Sequence, residues 1–227
     1  MPGIYFVLVD RNSRDYNNLS KVSYLLTSRI KKLYPNTMEH HVSTLNCGRY
    51  AVLAANIFNR GFKRFNIFKV KHDGVSLFTG LVVKPYTKSV EWRKELMNML
   101  ADPDEVIKFK EFLQRTHGVF SGLIFNPKER VIHAFVDHIS SKSLYYYVDD
   151  DLIVISSEYS LIPHTLTGLG KRIHLDLREA YFLLSFGYMI RDVTIIEDVH
   201  KVMPGTILRI DTADKTLNTI SYYRVDK

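Results

Sequence analysis

Apolar positions along this chain follow two different periods. Short runs of β-branched and aromatic residues bounded by polar turn formers predict strands, as in Gly3–Val9. Apolar residues that recur every three or four positions predict helices, as in Ser20–Tyr34, with Ser20 as cap and Tyr34-Pro35-Asn36 as stop. The full set of predicted strands is 3–9, 38–45, 49–58, 65–70, 75–83, 119–125, 131–136, 144–148, 152–155, 206–210 and 219–224, and the predicted helices are 20–34, 89–100, 104–115 and 175–186.

The strand signal is densest between Gly118 and Glu158. Four apolar runs alternate there with turn formers, among them Asn126-Pro127-Lys128-Glu129 and Asp149-Asp150-Asp151. This pattern predicts an antiparallel meander. Strands at both ends of the chain with helices grouped between them indicate the α+β class.

Composition and charge narrow the class of protein. The chain has 227 residues, of which 46% are hydrophobic and 24% charged, and it shows no internal linker, so we expect one globular domain over 1–227. The net charge of +7 permits an acidic partner. Because the basic residues are scattered along the chain, nucleic acid is a disfavoured partner, and binding to it would be steeply salt-dependent.

Cys47 is the single cysteine, which excludes an intramolecular disulfide and fits a reducing compartment. The first apolar run is too short for a signal peptide, and no run approaches the ~20 residues of a membrane helix. We therefore expect a cytoplasmic protein without membrane attachment. The nine histidines show no H-x-x-x-H spacing, so no metal site is predicted.

Several short sequence segments in the second half of the chain follow one another in the same order as segments of a known family. They are similar to the segments G-M-F-A-F-A, A-R-D-R-F-G-x-K-P-L-Y-Y and F-A-S-E of the amino-terminal class II glutamine amidotransferase domain of asparagine synthetases. The matching residues are Gly118, Phe120, Ala134, Asp137, Lys142, Leu144, Tyr145, Tyr146, Ser157 and Glu158, followed by 175–177, 184–188, 194–197 and 204–205. The resemblance implies the four-layer αββα sandwich of amino-terminal-nucleophile hydrolases, in which two antiparallel sheets lie between helical layers.

The family's nucleophile is missing. Its members begin M-C-G-I, and removal of Met leaves a terminal cysteine that attacks the glutamine side-chain amide. This chain begins Met1-Pro2-Gly3-Ile4. Pro2 has neither thiol nor hydroxyl, so no acyl-enzyme can form through its side chain. Pro2 is expected at the end of the first strand, facing the remnant of a pocket bounded by Gly80.

The rest of the implied glutamine pocket is altered as well. The family's F-N-G-E segment, which supplies the oxyanion hole, corresponds to Phe78-Thr79-Gly80-Leu81. Thr79 and Gly80 are thus vestigial oxyanion-hole positions, and an oxyanion donor typically contributes ~3 to 4 kcal/mol to the chemical step. The substrate-carboxylate arginine of the family is assigned to Arg49, and the aspartate that binds the substrate amine to Asp102 or Asp104.

These substitutions predict a domain of asparagine-synthetase type without glutaminase activity and without a cofactor. Its role would be structural or regulatory, supporting an ATP-dependent synthetase domain or subunit as partner, since the family's S-G-G-x-D-S ATP loop is absent from this chain. The alternative is an active amidohydrolase or amidotransferase that uses the Pro2 amine or Cys47 as nucleophile. A homo-oligomer is left open.

Overall fold

The structure, a computed structural model, describes residues 3–33, 38–59, 66–71, 73–83, 95–96, 106–189 and 191–224. The strands within them are β1 (Ile4–Asp10), β2 (Met38–Cys47), β3 (Tyr50–Asn59), β4 (Ile67–Lys71), β5 (Gly74–Val82), β6 (Gly118–Asn126), β7 (Val131–Val136), β8 (Tyr145–Val148), β9 (Leu152–Ser156), β10 (Val199–Lys201), β11 (Thr206–Asp211) and β12 (Leu217–Ser221). The helices are α1 (Leu19–Leu33), α2 (Val106–Gln114), α3 (Leu161–Gly168) and α4 (Leu177–Phe186).

These strands pair into two six-stranded antiparallel sheets. The first sheet has the order β10-β8-β9-β1-β3-β2, and the second has the order β12-β11-β7-β6-β5-β4. β1 lies inside the first sheet, paired with β3 on one side and β9 on the other. The α+β class and the two antiparallel sheets expected from the sequence are confirmed.

The alternation of side chains along β1 shows how the layers pack. Ile4, Phe6 and Leu8 face the second sheet and join the core between the two sheets. The intervening residues of β1 face outward, into a second core formed with α1 and α3. Because both faces of β1 are buried, its sequence is apolar from Ile4 to Val9 and carries no polar alternation.

The second sheet is covered on its outer face by α2. Phe109 and Phe112 of this helix pack in a third core with aromatic residues of β5, β6 and β7. Helix, sheet, sheet and helix thus follow one another, which is the αββα arrangement. No helix in the described parts of the chain is both long and apolar enough to cross a membrane.

The four strands between Gly118 and Ser156 do not pair as one continuous meander, but they lie in two stacked antiparallel sheets, as the resemblance implies. The hairpin of β6 and β7 belongs to the second sheet, whereas the hairpin of β8 and β9 belongs to the first. The segment between them, 137–144, carries the chain from one sheet to the other and is anchored by hydrogen bonds to Asp137. Alternation identifies strands, but it does not say which strands pair.

Helix ends also differ from the expectation. α1 begins at Leu19, directly after a 3-10 turn, so Ser20 lies inside the helix and is not its cap. In α4 the cap is Asp176, whose carboxylate accepts hydrogen bonds from the backbone N–H groups of Arg178 and Glu179. The short elements α3 and β10 escaped prediction. The stop at 34–36 and most of the predicted helix 89–100 lie outside the described residues.

A buried histidine on β7 should make stability depend on pH. His133 is 4% exposed, and burial, with the nearby charge of Arg209, lowers its pKa from 6.5 to about 4. The folded state therefore keeps this ring neutral, while the unfolded chain binds a proton below pH 6.5. We expect the free energy of unfolding to fall as the pH drops from about 6.5 to 4, by about 3 kcal/mol in total.

The measurement is urea unfolding at pH 7 and pH 4.5 for the wild type and His133→Gln. The variant should lose most of the difference between the two pH values that His133 contributes. His164→Gln serves as the control, because His164 is exposed. An unchanged pH dependence in the His133 variant would contradict this assignment.

Candidate functional site

The beginning of β1 is fixed by hydrogen bonds on both of its sides. The Gly3 carbonyl accepts from the Ile57 N–H at 2.8 Å. On the other side, the Ile4 N–H donates to the Ser157 hydroxyl at 2.9 Å, and the Ser157 N–H donates to the Ile4 carbonyl at 2.9 Å. Pro2 itself lies outside the described residues, so the site is built from Gly3 onward.

Asn56 connects this end of β1 to the second sheet. It pairs with Ile4 across the β1–β3 ladder and is fully buried. Its side-chain amide donates to the carbonyls of Ile67 at 3.0 Å and Phe78 at 3.2 Å. The first residues of β1 and the Phe78-Thr79-Gly80-Leu81 segment are therefore close in space, although more than seventy residues separate them in the chain.

Two further polar residues lie between the sheets near this point. Thr79 on β5 is the register partner of Ser121 on β6, and both are buried. Leu77 and Leu123 lie two residues from Thr79 and Ser121 on the same strands, and both belong to the core between the sheets. Because side chains alternate between the two faces of a strand, Thr79 and Ser121 share the inward face with Asn56. Within the described structure the Ser121 hydroxyl and the Asn56 carbonyl oxygen have no hydrogen-bond partner.

Asn56 and Ser121 were missed by the sequence reasoning. The signal that could have revealed them is a polar residue at a core-facing position of an otherwise apolar strand, because such a residue is costly unless it has a function or partners. Asn56 lies in the run Ala51–Phe58, and all the other residues of this run are apolar.

Gly80 is required by close packing of β5 on β6. Its φ of +152° is unusual for other residues, and a Cβ placed there would lie 2.3 Å from the Val119 carbonyl oxygen. Gly118 is in the same situation, with a Cβ 2.2 Å from the Leu81 carbonyl oxygen. Glycine is therefore needed at position 80 for a structural reason, whatever its chemical role.

Asp137 lies at the same end of the second sheet, directly after the residue that pairs with Ser121. Its carboxylate is fully buried and accepts five hydrogen bonds. The donors are the N–H groups of Phe120, Ile139, Ser141 and Lys142 and the hydroxyl of Ser141. With every oxygen occupied by backbone or neighbouring groups, Asp137 organises the turn and is not available to a ligand.

Arg49 lies at the opposite end of β1. Its guanidinium forms an ion pair with the buried carboxylate of Asp10, the last residue of that strand. From Ile4 to Asp10 the strand extends about 20 Å, at about 3.4 Å per residue. The structure therefore does not bring Arg49 together with Thr79 and Gly80. Asp102 and Asp104 lie outside the described residues.

Cys47 also lies at that opposite end, where it pairs with Tyr50. The residue is buried, and burial raises the pKa of its thiol. Since the thiolate is the nucleophilic form, a buried thiol with a raised pKa is a poor nucleophile at neutral pH. Neither position nor ionisation favours Cys47 as a nucleophile.

The described contacts at the start of β1 contain no charge. Gly3 hydrogen-bonds to Ile57, and Ile4 pairs with Asn56 and hydrogen-bonds to Ser157. In the second sheet, Thr79 pairs with Ser121 and Gly80 pairs with Phe120. None of these partners has an ionisable side chain. A free amino acid carries both a carboxylate and an ammonium group, and each must be paired when it leaves water.

Among the described residues, no group of three or more His, Cys, Asp or Glu side chains is placed to hold a metal ion.

The family of the chain follows from comparison with known domains. Residues 107–223, just over half of the chain, match the model of the glutamine amidotransferase domain. The chain belongs to this family. No curated protein sequence matches it.

Solved structures support the same fold. One is the glutamine phosphoribosylpyrophosphate amidotransferase of B. subtilis complexed with ADP and GMP, with a TM-score of 0.53 and 12% identity. Another is described as the allosteric regulatory enzyme of purine biosynthesis, with a TM-score of 0.51 and 13% identity. Each match covers 97% of this chain and 49% of the other, so the chain spans about half the length of these relatives. At such identities the likeness concerns the fold alone.

Proposed function

We propose that this chain is a glutamine amidotransferase domain of asparagine-synthetase type that has lost glutamine hydrolysis. It serves as a structural or regulatory module for an ATP-dependent amide-forming domain or subunit. The main observation behind the proposal is that proline occupies position 2, directly before Gly3. Asparagine synthetases have their nucleophilic cysteine at this position. A proline side chain offers no atom that can attack an amide and form an acyl-enzyme.

The surroundings of Gly3 support this proposal. Thr79 replaces the amide that would donate to the developing oxyanion, and Leu81 replaces a carboxylate that would hold the substrate. The described partners of Gly3 and Ile4 are uncharged. Arg49, the sequence-based candidate for binding the substrate carboxylate, is paired with Asp10 at the far end of β1.

The module role rests on the extent of the domain. The two relatives above are about twice as long as the part that this chain matches. In an assembly with an amide-forming partner, a domain that releases no ammonia would leave the partner to use free ammonia or another amine. The domain would then contribute contacts that shape or regulate the partner.

Restoring the nucleophile alone should not restore the enzyme. Pro2→Cys supplies a terminal thiol and, after Met1 removal, a primary α-amine beside it. The oxyanion would still lack its amide donor at Thr79, and each missing electrostatic contact costs a factor of ~100 or more. We therefore expect no glutamate or ammonia release above background from glutamine with Pro2→Cys, measured after mass spectrometry has verified Met1 removal.

A triple variant that adds Thr79→Asn and Leu81→Glu has a better prospect of turnover. Cys47→Ala in the wild-type background is the control for chemistry at the Cys47 thiol, and it should leave the release of glutamate and ammonia from glutamine unchanged. Glutamine hydrolysis by the wild type would overturn the proposal. Robust turnover by Pro2→Cys alone would show that the pocket is intact and that only the thiol had been lost.

A further inference from the structure

A groove lies between α1 and α3, on the outer face of the first sheet and apart from the site above. Its volume is about 250 Å³, slightly below the range of about 300–1,000 Å³ usual for pockets that hold drug-sized ligands. Its apolar lining includes Leu25 and Leu26 of α1 and Leu161 of α3. Leu26 and Leu161 are buried, while Leu25 is 40% exposed at the opening. The groove therefore suits a small ligand with an apolar body.

The polar part of the same groove is basic. Arg29 and Lys32 of α1 and His164 of α3 line it, and the described residues of its lining include no aspartate or glutamate. Basic residues near the end of a helix often do no more than offset its dipole, in which case they are solvated. Arg29 departs from that ordinary situation, because its Nε is buried and has no acceptor in the described structure.

The neighbouring hydroxyl groups do not supply that acceptor. Thr165 donates to the Leu161 carbonyl at 2.7 Å, and Thr167 donates to the Pro163 carbonyl at 2.8 Å. A buried guanidinium N–H without an acceptor is costly, and a carboxylate matches the donor geometry of arginine better than a neutral group does. The apolar lining of the cavity and its positive charge both point to the same kind of ligand.

We propose that the groove between α1 and α3 binds a small amphipathic monocarboxylate, with its apolar chain against Leu26 and Leu161 and its carboxylate on Arg29. Lys32 adds positive charge to the same groove. The site does not depend on the proposed loss of glutamine hydrolysis, because none of its residues takes part in the region around Gly3.

Hexanoate is the probe for this site, with hexanamide as its uncharged isostere and acetate as the headgroup without the chain. Calorimetric titration of the full chain should show hexanoate binding at least about tenfold more tightly than hexanamide and than acetate. Equal affinity for hexanoate and hexanamide would show that the charge is not recognised. Equal affinity for hexanoate and acetate would show that the apolar floor is not used. Either result overturns the proposal.

Single substitutions locate the binding. Arg29→Gln and Leu25→Ser should each weaken hexanoate binding, Arg29→Gln by about tenfold. Lys21→Gln is the matched control, since Lys21 is an exposed cation on the same helix outside the groove, and it should leave the affinity unchanged. Circular dichroism identifies variants that fail to fold. If Arg29→Gln and Lys21→Gln weaken binding equally, the attraction is to net charge and the proposed site is wrong.

Discussion

Replacing Gly80 by alanine is expected to cost at least about 4 kcal/mol of folding free energy, a large share of the total stability of an ordinary domain. The added Cβ would lie 2.3 Å from the Val119 carbonyl oxygen and 2.6 Å from the Phe120 Cα. Both are backbone atoms of β6, and they can move only if the β5–β6 pairing is broken. Urea unfolding followed by circular dichroism at 25 °C should show a free energy of unfolding that is lower than that of the wild type by at least about 4 kcal/mol.

Gly48→Ala is the matched control. Gly48 also has a positive φ, of +58°, but nothing lies within 4 Å of a Cβ placed there. Its substitution therefore reports the conformational penalty without a clash, which is about 1 kcal/mol. Comparable losses for the two variants would mean that the close approach of β5 and β6 is not what requires Gly80.

The effect of Gly80→Ala also bears on the interpretation of the segment Phe78-Thr79-Gly80-Leu81. Of the four positions in Phe78-Thr79-Gly80-Leu81, Phe78 and Gly80 agree with the family's F-N-G-E. Phe78 packs in the outer core of the second sheet, and Gly80 is needed where β6 approaches. In this proposed alignment, the two residues that agree with the motif are thus the ones that the fold requires, and the proposed loss of chemistry concerns the other two, Thr79 and Leu81.

Much of the fold follows from local pattern. β1, β3 and β7 are predominantly apolar runs that are buried on both faces, and such runs between turn formers are readily recognised as strands. The stacking of two sheets came from the resemblance to a known family, because periodicity cannot indicate it. These four strands lie in the two stacked sheets that the resemblance implies, but which hairpin joins which sheet depends on a long-range choice of partner, and the chain passes between the sheets at the turn that Asp137 organises.

The candidate site was less predictable. Thr79 and Gly80 were assigned to an oxyanion hole from their places in a motif, and this role stays a prediction, although Asn56 does link their strand to the beginning of β1. Arg49 was assigned by residue type and approximate spacing. In an antiparallel pair, however, a residue just before the second strand lies beside the end of the first, and Arg49 accordingly meets Asp10. Sequence spacing does not reveal that reversal until the pairing is known.

Asp137→Asn should be the second most damaging substitution, with a loss of about 3 kcal/mol. The wild-type carboxylate accepts from Phe120 and Lys142 N–H on one oxygen and from Ile139 and Ser141 on the other. In the amide, one of these oxygens becomes an NH₂ group that faces backbone donors and can accept nothing from them. Hydrogen bonds to a charged acceptor contribute about 1.5–3 kcal/mol each, so losing the contacts of one oxygen in a fully buried position accounts for the estimate.

Thermal unfolding measures this effect, and we expect a decrease of about 10 °C in the midpoint for a chain of this size. Asp176→Asn is the control, because Asp176 likewise accepts from two backbone N–H groups but does so as the cap of α4, where asparagine performs equally well. Its midpoint should shift by no more than about 1–2 °C. If both variants melt alike, the hydrogen bonds at Asp137 are replaceable by water. The passage of the chain from the second sheet to the first would then depend on packing around Leu144, which is fully buried in the core between the sheets, and not on this carboxylate.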